Sequence, residues 1–131
     1  ASAAERAMGN LLPVVRTNYS MPPDHGAAIV AHILGDATLR AQWEEELATM
    51  RNRIRDMRHE LVRLLDGNNR RDYSFLGGQH GMFAMLGIPG DAVKRLREEW
   101  HVHITGSSRA NIAGLTPQNV AHVAQAIAAV S

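Results

Sequence analysis

Residues 39–65 read LRAQWEEELATMRNRIRDMRHELVRLL, the longest regular pattern in the chain. Apolar residues recur there every three or four positions, which places them on one side of an α-helix of about eight turns. The members of this stripe are Leu39, Trp43, Leu47, Met50, Ile54, Met57, Leu61 and Leu65. Asp36 predicts the N-cap of the helix, and the segment DGNN (66–69) predicts its end.

Shorter patterns flank the long helix and predict the remaining elements. Before it come a weak helix over 3–15 that Pro13 interrupts, a turn-rich stretch over 16–26, and a short buried helix over 27–34. After it come strands YSFL (73–76) and MFAML (82–86) joined as a hairpin, a helix over 89–100, strands HVHIT (101–105) and RANIA (109–113), and a final helix capped by Thr116 with Pro117 at its first position. The predicted fold is α/β, with helices layered on a small, mostly antiparallel sheet.

Composition narrows the class of protein. The chain has 131 residues, of which 45% are apolar and 21% charged, as in a globular domain with a sizeable core. Its 14 basic and 13 acidic residues nearly balance, which argues against nucleic-acid and membrane-surface partners. It has no cysteine, so disulfides and thiolate sites are excluded. No apolar run is long enough to span a bilayer, and we expect a cytoplasmic location.

Two groups of side chains on regular elements have both a functional and an ordinary interpretation. Arg51, Arg55 and Arg58 share a helix face and could bind phosphate, although a solvated helix face is the more ordinary outcome. His101 and His103 would point to the same face of a strand and could hold a metal ion. No third ligand accompanies them at a telling distance, which favours ordinary sheet histidines.

Three single cations remain as candidates. Lys94 is the only lysine and could form a Schiff base, but Glu98 four residues later favours an exposed ion pair. Arg16 and Arg109 lie in a loop and at a strand end, without an acidic residue beside them. A guanidinium in such a place is either solvated or available to an anion, and its planar fork matches a carboxylate.

Three separated stretches resemble a known family. RTNYSMPPDHGAAIVAHIL (16–34), GGQHGMFAMLG (77–87) and SSRANIAGLTPQNV (107–120) are similar to the C-terminal part of class I aspartate and aromatic-amino-acid aminotransferases. These are dimeric enzymes of fold type I that use pyridoxal 5'-phosphate. The resemblance runs from about residue 6 to residue 130 in the family's order, and it implies that the chain is about the last third of such an enzyme.

The resemblance also implies roles for five residues. Arg109 matches the arginine of the family pattern GR-x-N-x-(A/S)-G, which binds the α-carboxylate of the substrate. Arg16 matches the arginine that reaches into the neighbouring subunit's site and holds the distal carboxylate of aspartate or glutamate. Asn18 and Ser20 match the same loop near that site. Phe83 matches an aromatic residue that lies close to the substrate.

The implied activity is the transfer of an amino group from aspartate, glutamate or an aromatic amino acid to a 2-oxo acid. Met21 departs from the family pattern, which has a small polar residue there, and so keeps aromatic substrates open. The catalytic lysine and the other cofactor-binding groups of the family would lie upstream of Ala1, and Lys94 does not match the lysine motif. We therefore expect this chain alone to bind no pyridoxal phosphate and to be inactive.

The resemblance divides the chain into an interface segment, 1–26, and a small domain, 27–131, that closes over bound substrate. Because the chain begins at Ala1 rather than at methionine, we expect a processed, cleaved or excised piece of a longer polypeptide. The alternative hypothesis is a stand-alone interaction or regulatory domain that has this fold without catalysis.

Overall fold

The computed structural model describes residues 2–66 and 71–131. Its elements in chain order are α1 (Ala3–Tyr19), α2 (His25–Gly35), α3 (Ala37–Asp66), a 3₁₀ helix (Ser74–Gly78), β1 (Phe83–Met85), α4 (Gly90–Trp100), β2 (Arg109–Asn111), a second 3₁₀ helix (Ile112–Gly114) and α5 (Val120–Val130). Contacts divide the chain into a first unit, residues 1–44, and a second unit, residues 45–131. None of the described helices is long and apolar enough to cross a membrane.

Helix α3 confirms the prediction made from its apolar stripe. The Oδ1 atom of Asp36 accepts hydrogen bonds from the N–H groups of Leu39 (2.9 Å) and Thr38 (2.8 Å), so the helix begins at the predicted cap. These bonds hold the pKa of the Asp36 carboxyl below its usual value. In the second unit the stripe buries Leu61 and Leu65. The predicted end at 66–69 falls mostly outside the described residues.

Helices α1 and α2 of the first unit differ from the prediction. Ser2 and Glu5 form a reciprocal capping box, and the helix that they start continues through Pro13 to Tyr19. The predicted turn over 16–26 is therefore wrong for its first four residues. Helix α2 occurs over His25–Gly35, close to the predicted 27–34, but its predicted burial is wrong, because neither α1 nor α2 contains a buried residue. An apolar helix is buried only where another element covers it. Among the described residues of this unit, no element covers α1 or α2 enough to bury a side chain.

The sheet consists of β1 and β2, which pair in an antiparallel register. Phe83 lies opposite Asn111 and Met85 lies opposite Arg109. The ladder continues beyond the strands, where the N–H group of Leu86 donates to the carbonyl of Ser108 at 3.0 Å. The predicted MFAML strand is thus confirmed over its three central residues and the predicted RANIA strand over its first three, although the two strands pair with each other and not with their neighbours in sequence.

Two predicted strands are wrong. The YSFL segment forms the first 3₁₀ helix because Asp72 Oδ1 accepts a hydrogen bond from the N–H group of Ser74 (2.8 Å) and starts a turn. The HVHIT segment is not part of the sheet: His101 adopts a left-handed conformation (φ 55°) and ends α4. Val102 and Ile104 of this segment pack against the core, but no strand in the described part of the chain pairs with it.

Side chains form hydrogen bonds with the backbone groups on the outer edges of the two strands. The N–H group of Met85 donates to Gln79 Oε1 (3.0 Å), and that of Arg109 donates to Thr105 Oγ1 (3.1 Å). Arg58 Nη2 donates to the carbonyl of Phe83 at 3.4 Å. A sheet of two short strands is marginal alone, so these contacts contribute to holding the register.

Buried side chains of α3, α4, α5 and the sheet contribute to the hydrophobic core of the second unit. Its largest fully buried members are Leu61, Leu65, Leu76, Leu86, Leu96, Ile112 and Ile127. Helix α5 begins at Val120, three residues after the predicted position of Pro117. Thr116 does cap the preceding turn, where its Oγ1 accepts from the N–H group of Asn119 (3.3 Å) and its own N–H donates to Asn119 Oδ1 (2.8 Å).

Candidate functional site

The exposed face of the two-stranded sheet carries the candidate site of the second unit. Phe83, Met85, Arg109 and Asn111 lie on this face, while the residues between them along each strand are buried. The Cζ atom of Arg109 lies 4.8 Å from the centroid of the Phe83 ring. In residues 2–66 and 71–131, no salt bridge joins Arg109 to an acidic side chain. Its charge is therefore stabilised by the ring and by solvent, and its N–H donors are open to an anion.

Ser108 fixes the backbone immediately before Arg109. This residue is 3% exposed and has a φ of 61°, a left-handed conformation that costs a non-glycine residue roughly 1–2 kcal/mol. Its carbonyl accepts from the N–H group of Leu86, and its Oγ accepts from the N–H group of Gly87, both at 3.0 Å. These two hydrogen bonds offset the strain and tie the start of β2 to the end of β1.

The other predicted site residues lie in the first unit. Arg16 and Asn18 are in the last turn of α1, and Ser20 is its C-cap, with φ 45° and its N–H group donating to the carbonyl of Arg16 at 3.1 Å. All three are exposed. The structure brings them together at one helix end, which replaces the loop that their sequence predicts. No salt bridge to an acidic side chain involves Arg16 within the described part of the chain.

Lys94 and the histidines do not form a site. Lys94 is exposed on α4, and the predicted ion pair with Glu98 is wrong: among the described residues, the salt-bridge partner of Glu98 is Arg97, at 3.8 Å. His101 and His103 are exposed but do not belong to a strand, because His101 ends α4 in a left-handed conformation. The described residues contain no group of three or more His, Cys, Asp or Glu placed to hold a metal ion.

The arginine stripe of α3 is only partly solvated. Arg51 and Arg55 are exposed, as the ordinary interpretation predicts. Arg58 is 3% exposed, and its Nη2 atom donates to the carbonyls of Gly81 (2.6 Å) and Phe83 (3.4 Å). Desolvation by burial lowers the pKa of the Arg58 guanidinium. The solvated interpretation is therefore wrong for Arg58, which anchors the segment that carries Phe83 to the long helix.

A cavity of about 760 Å³ in the second unit is lined by α3 and by the segment 77–82. Its lining is mostly apolar and includes Leu47, Met50, Ile54 and Met82. Arg51, Arg55 and Arg58 also border it, so the stripe borders an apolar cavity rather than a polar groove. This surrounding does not favour the phosphate-binding alternative.

The family whose sequence model matches residues 1–127 is Aminotransferase class I and II. The chain belongs to this family.

Relatives of this aminotransferase chain include both aspartate and aromatic enzymes. It is 48% identical to aspartate aminotransferase of Salmonella typhi, covering 99% of this chain and 33% of that protein. It is 46% identical to aromatic-amino-acid aminotransferase of Escherichia coli K12, again over 99% of this chain and 33% of that protein. The chain thus spans about a third of the length of the curated relatives it matches.

A solved structure confirms the fold. Aromatic-amino-acid aminotransferase from Burkholderia pseudomallei, covalently bound to pyridoxal phosphate, matches with a TM-score of 0.89 and 47% identity. The match covers 97% of this chain and 32% of that chain. The predicted aminotransferase small-domain fold, with its small antiparallel sheet and one long helix, is therefore confirmed. The predicted boundary between residues 26 and 27 stays a prediction.

Sequence reasoning missed three residues that shape the site of this aminotransferase chain, Ser108, Thr105 and Gln79, and assigned the wrong role to a fourth, Arg58. One of them had a visible signal, because the family pattern has glycine where this chain has Ser108, and glycine marks a backbone that needs a positive φ. Arg58 looks like its exposed neighbours on α3, and only the fold shows that Gly81 and Phe83 meet it. The contacts of Gln79 and Thr105 depend on which strands pair, which the sequence did not reveal.

Proposed function

We propose that this chain is the carboxylate-recognising part of a pyridoxal-phosphate-dependent aminotransferase that acts on aspartate, glutamate or aromatic amino acids. The family and the names of its relatives support the reaction class. The observation that carries the proposal is the exposed guanidinium of Arg109, held on the sheet face by Phe83 with no acidic partner among the described residues.

Arg109 is proposed to bind the α-carboxylate, which every amino acid and every 2-oxo acid substrate possesses. A guanidinium can form two parallel N–H···O hydrogen bonds with a carboxylate, and such charge-assisted pairs fix orientation as well as adding affinity. Fixing one end of the substrate would orient its Cα–H bond for proton transfer. The strained and hydrogen-bonded Ser108 would keep this arginine in place while substrates exchange.

Arg16 is proposed to bind the distal carboxylate of aspartate or glutamate in the site of a neighbouring subunit, with Asn18 and Ser20 beside it. Its exposure at the end of α1 supports this role, because the guanidinium is accessible to a ligand from outside its own unit. The proposal therefore includes a homodimer, in which each subunit completes the other's site.

The described residues do not fit the cofactor site itself. The single lysine, Lys94, is exposed on the amphipathic helix α4. We propose that the catalytic lysine and the cofactor-binding groups belong to sequence outside these 131 residues. Pyridoxal phosphate bound there would supply an electron sink for the substrate Cα. This chain would orient the carboxylates, and alone it would be inactive.

Kinetics of the complete gene product with two arginine variants test the proposal. Arg109→Ala should impair every amino acid, because all substrates share the α-carboxylate. Arg16→Ala should cost aspartate and glutamate about 2–5 kcal/mol of transition-state binding, as for a lost buried charge pair, and should spare phenylalanine. The values of kcat/KM for aspartate and phenylalanine give both results.

Each arginine can fail separately in this experiment. An Arg109→Ala enzyme that kept its activity would remove the α-carboxylate assignment. Equal losses for aspartate and phenylalanine in Arg16→Ala would remove the distal-carboxylate assignment. Exposed Arg51→Ala on α3 is the matched control and should leave both substrates unchanged.

A further inference from the structure

We infer that Phe83 is a positioning residue for Arg109 and acts on the substrate through that guanidinium, rather than by touching the substrate side chain. The inference rests on the proposed carboxylate-binding role of Arg109. The family resemblance instead implies that this ring lies directly beside the substrate.

The register of the sheet builds the contact. Arg109 lies opposite Met85, so Phe83 is its diagonal neighbour on the same exposed face. Diagonal neighbours in an antiparallel pair are within reach of aromatic and long side chains. The distance of 4.8 Å between Arg109 Cζ and the ring centroid is inside the range of about 6 Å over which a cation is attracted to a ring face.

A ring suits an arginine that must receive a carboxylate better than an acidic partner would. An exposed arginine has many rotamers and loses binding free energy when a ligand immobilises it. A neighbouring Asp or Glu would reduce those rotamers, but it would occupy the N–H donors and compete with the substrate. The ring attracts the cation and takes up none of its five N–H donors.

The backbone segments that carry Phe83 and Arg109 are each held by hydrogen bonds to a side chain. Arg58 Nη2, which is buried, donates to the carbonyls of Gly81 and Phe83 and so fixes the ring's segment to α3. On the other strand, the N–H group of Arg109 donates to Thr105 Oγ1 at 3.1 Å. The ring and the guanidinium are thus presented to each other by two anchored segments.

Three variants of the complete gene product, loaded with pyridoxal phosphate, test whether the effect of Phe83 comes from its aromatic ring or from the size and position of its side chain. Phe83→Leu removes the ring, Phe83→Tyr keeps it, and Met85→Leu alters the other apolar neighbour of Arg109. Met85 is the matched control because it is 45% exposed, against 46% for Phe83, and lies on the same face. Phe83→Leu should lower kcat/KM about two- to fivefold, the factor that corresponds to an exposed cation–π contact. Phe83→Tyr, which keeps the ring, should recover most of this loss, and Met85→Leu should lower kcat/KM less than Phe83→Leu does.

The pattern across substrates and backgrounds distinguishes positioning from direct contact. If Phe83 acts through Arg109, aspartate and phenylalanine lose the same factor, and Phe83→Leu adds no loss in an Arg109→Ala background. A loss confined to phenylalanine, or one that persists in the Arg109→Ala background, would overturn the inference. Retained activity in Arg109→Ala alone is a separate result, because it removes the proposed function on which the inference rests.

A nuclear magnetic resonance measurement tests the contact without catalysis. In the complete gene product, labelled selectively at arginine, the Hδ protons of Arg109 should show an upfield ring-current shift that Phe83→Leu abolishes and Met85→Leu retains. An Arg109 signal at the position of an unstructured arginine would overturn the inference.

Discussion

At the scale of single residues, two arginines have different surroundings, and their neighbours in sequence do not reveal the difference. Arg109 lies on a strand with no acidic residue near it in sequence, and it contacts the Phe83 ring. Arg58 lies among exposed arginines on α3, yet it is buried and donates to backbone carbonyls. The hypothesis that Arg109 is open to an anion came from the missing acids. Its ring partner could not be predicted, since it depends on the pairing of β1 with β2.

Replacing Arg58 by methionine should destabilise the second unit. The substitution keeps an apolar stem but leaves the partly buried carbonyls of Gly81 and Phe83 without their charged donor, a loss of about 1.5–3 kcal/mol for a hydrogen bond to a charged group. Urea unfolding of the 131-residue chain, followed by circular dichroism, measures this change. Arg51→Met, seven residues earlier on α3 and exposed, is the control and should stay within about 0.5 kcal/mol. An Arg58→Met chain as stable as the control would contradict the anchoring role.

At the scale of elements, the sequence predicts the helices well and the sheet poorly. The stripe of α3 and its cap at Asp36 are local signals, because every contact that defines them lies within four residues. The strands have no such local signal: β1 and β2 are three residues each and pair across 23 intervening positions. The YSFL segment shows the converse error, where aromatic composition favoured a strand and the Asp72 turn prevented it.

The cap of α3 makes the stability of the first unit depend on pH. The carboxylate of Asp36 has a lowered pKa because it accepts hydrogen bonds from Leu39 and Thr38. Its stabilisation is therefore present above the unfolded-state pKa of about 3.9 and is lost as the pH falls through the lower folded value. Asp36→Asn keeps a capping side chain that does not titrate, so the part of the acid transition due to this group should disappear.

Thermal unfolding between pH 7 and pH 2, followed by circular dichroism at 222 nm, measures the pH dependence of Asp36. Asp24→Asn is a matched control, because Asp24 is the N-cap of α2 and its side chain makes no capping hydrogen bond. That variant should keep the pH dependence of the unaltered chain. Identical flattening in both variants would contradict the assignment to Asp36.

At the scale of the whole molecule, the two units differ in how much each buries. Helices α1 and α2 contain no buried residue, although Leu11, Leu12 and Val30 are among their apolar side chains. Helix α5 has the same length as α2, 11 residues, and buries five of them. Composition predicted both helices as apolar, and only the packing of each unit separates them.

Native-state hydrogen exchange of the 131-residue chain should reflect this difference. Amides of α1 and α2 should exchange within about tenfold of the rate of an unstructured chain, because opening these helices exposes little that was buried. Amides of α5 and of α3 near Leu61 should require opening of the core and exchange far more slowly. The equal length of α2 and α5 makes them an internal comparison. Equal protection of the two helices would show that the first unit is stabilised by contacts other than burial.

The side chains of Gln79 and Thr105 have a consequence for concentrated solutions of the protein. A strand edge with free N–H and C=O groups is a template on which a second molecule can add a strand, and repeated addition leads to fibrils. The Gln79 amide occupies both backbone groups of Met85, at 3.0 and 3.4 Å, as an adjoining strand would. Thr105 does the same for Arg109 from the opposite side. One amide and one hydroxyl thus occupy the outward-facing backbone groups of one residue on each edge of the sheet, where the strand of a second molecule would otherwise pair.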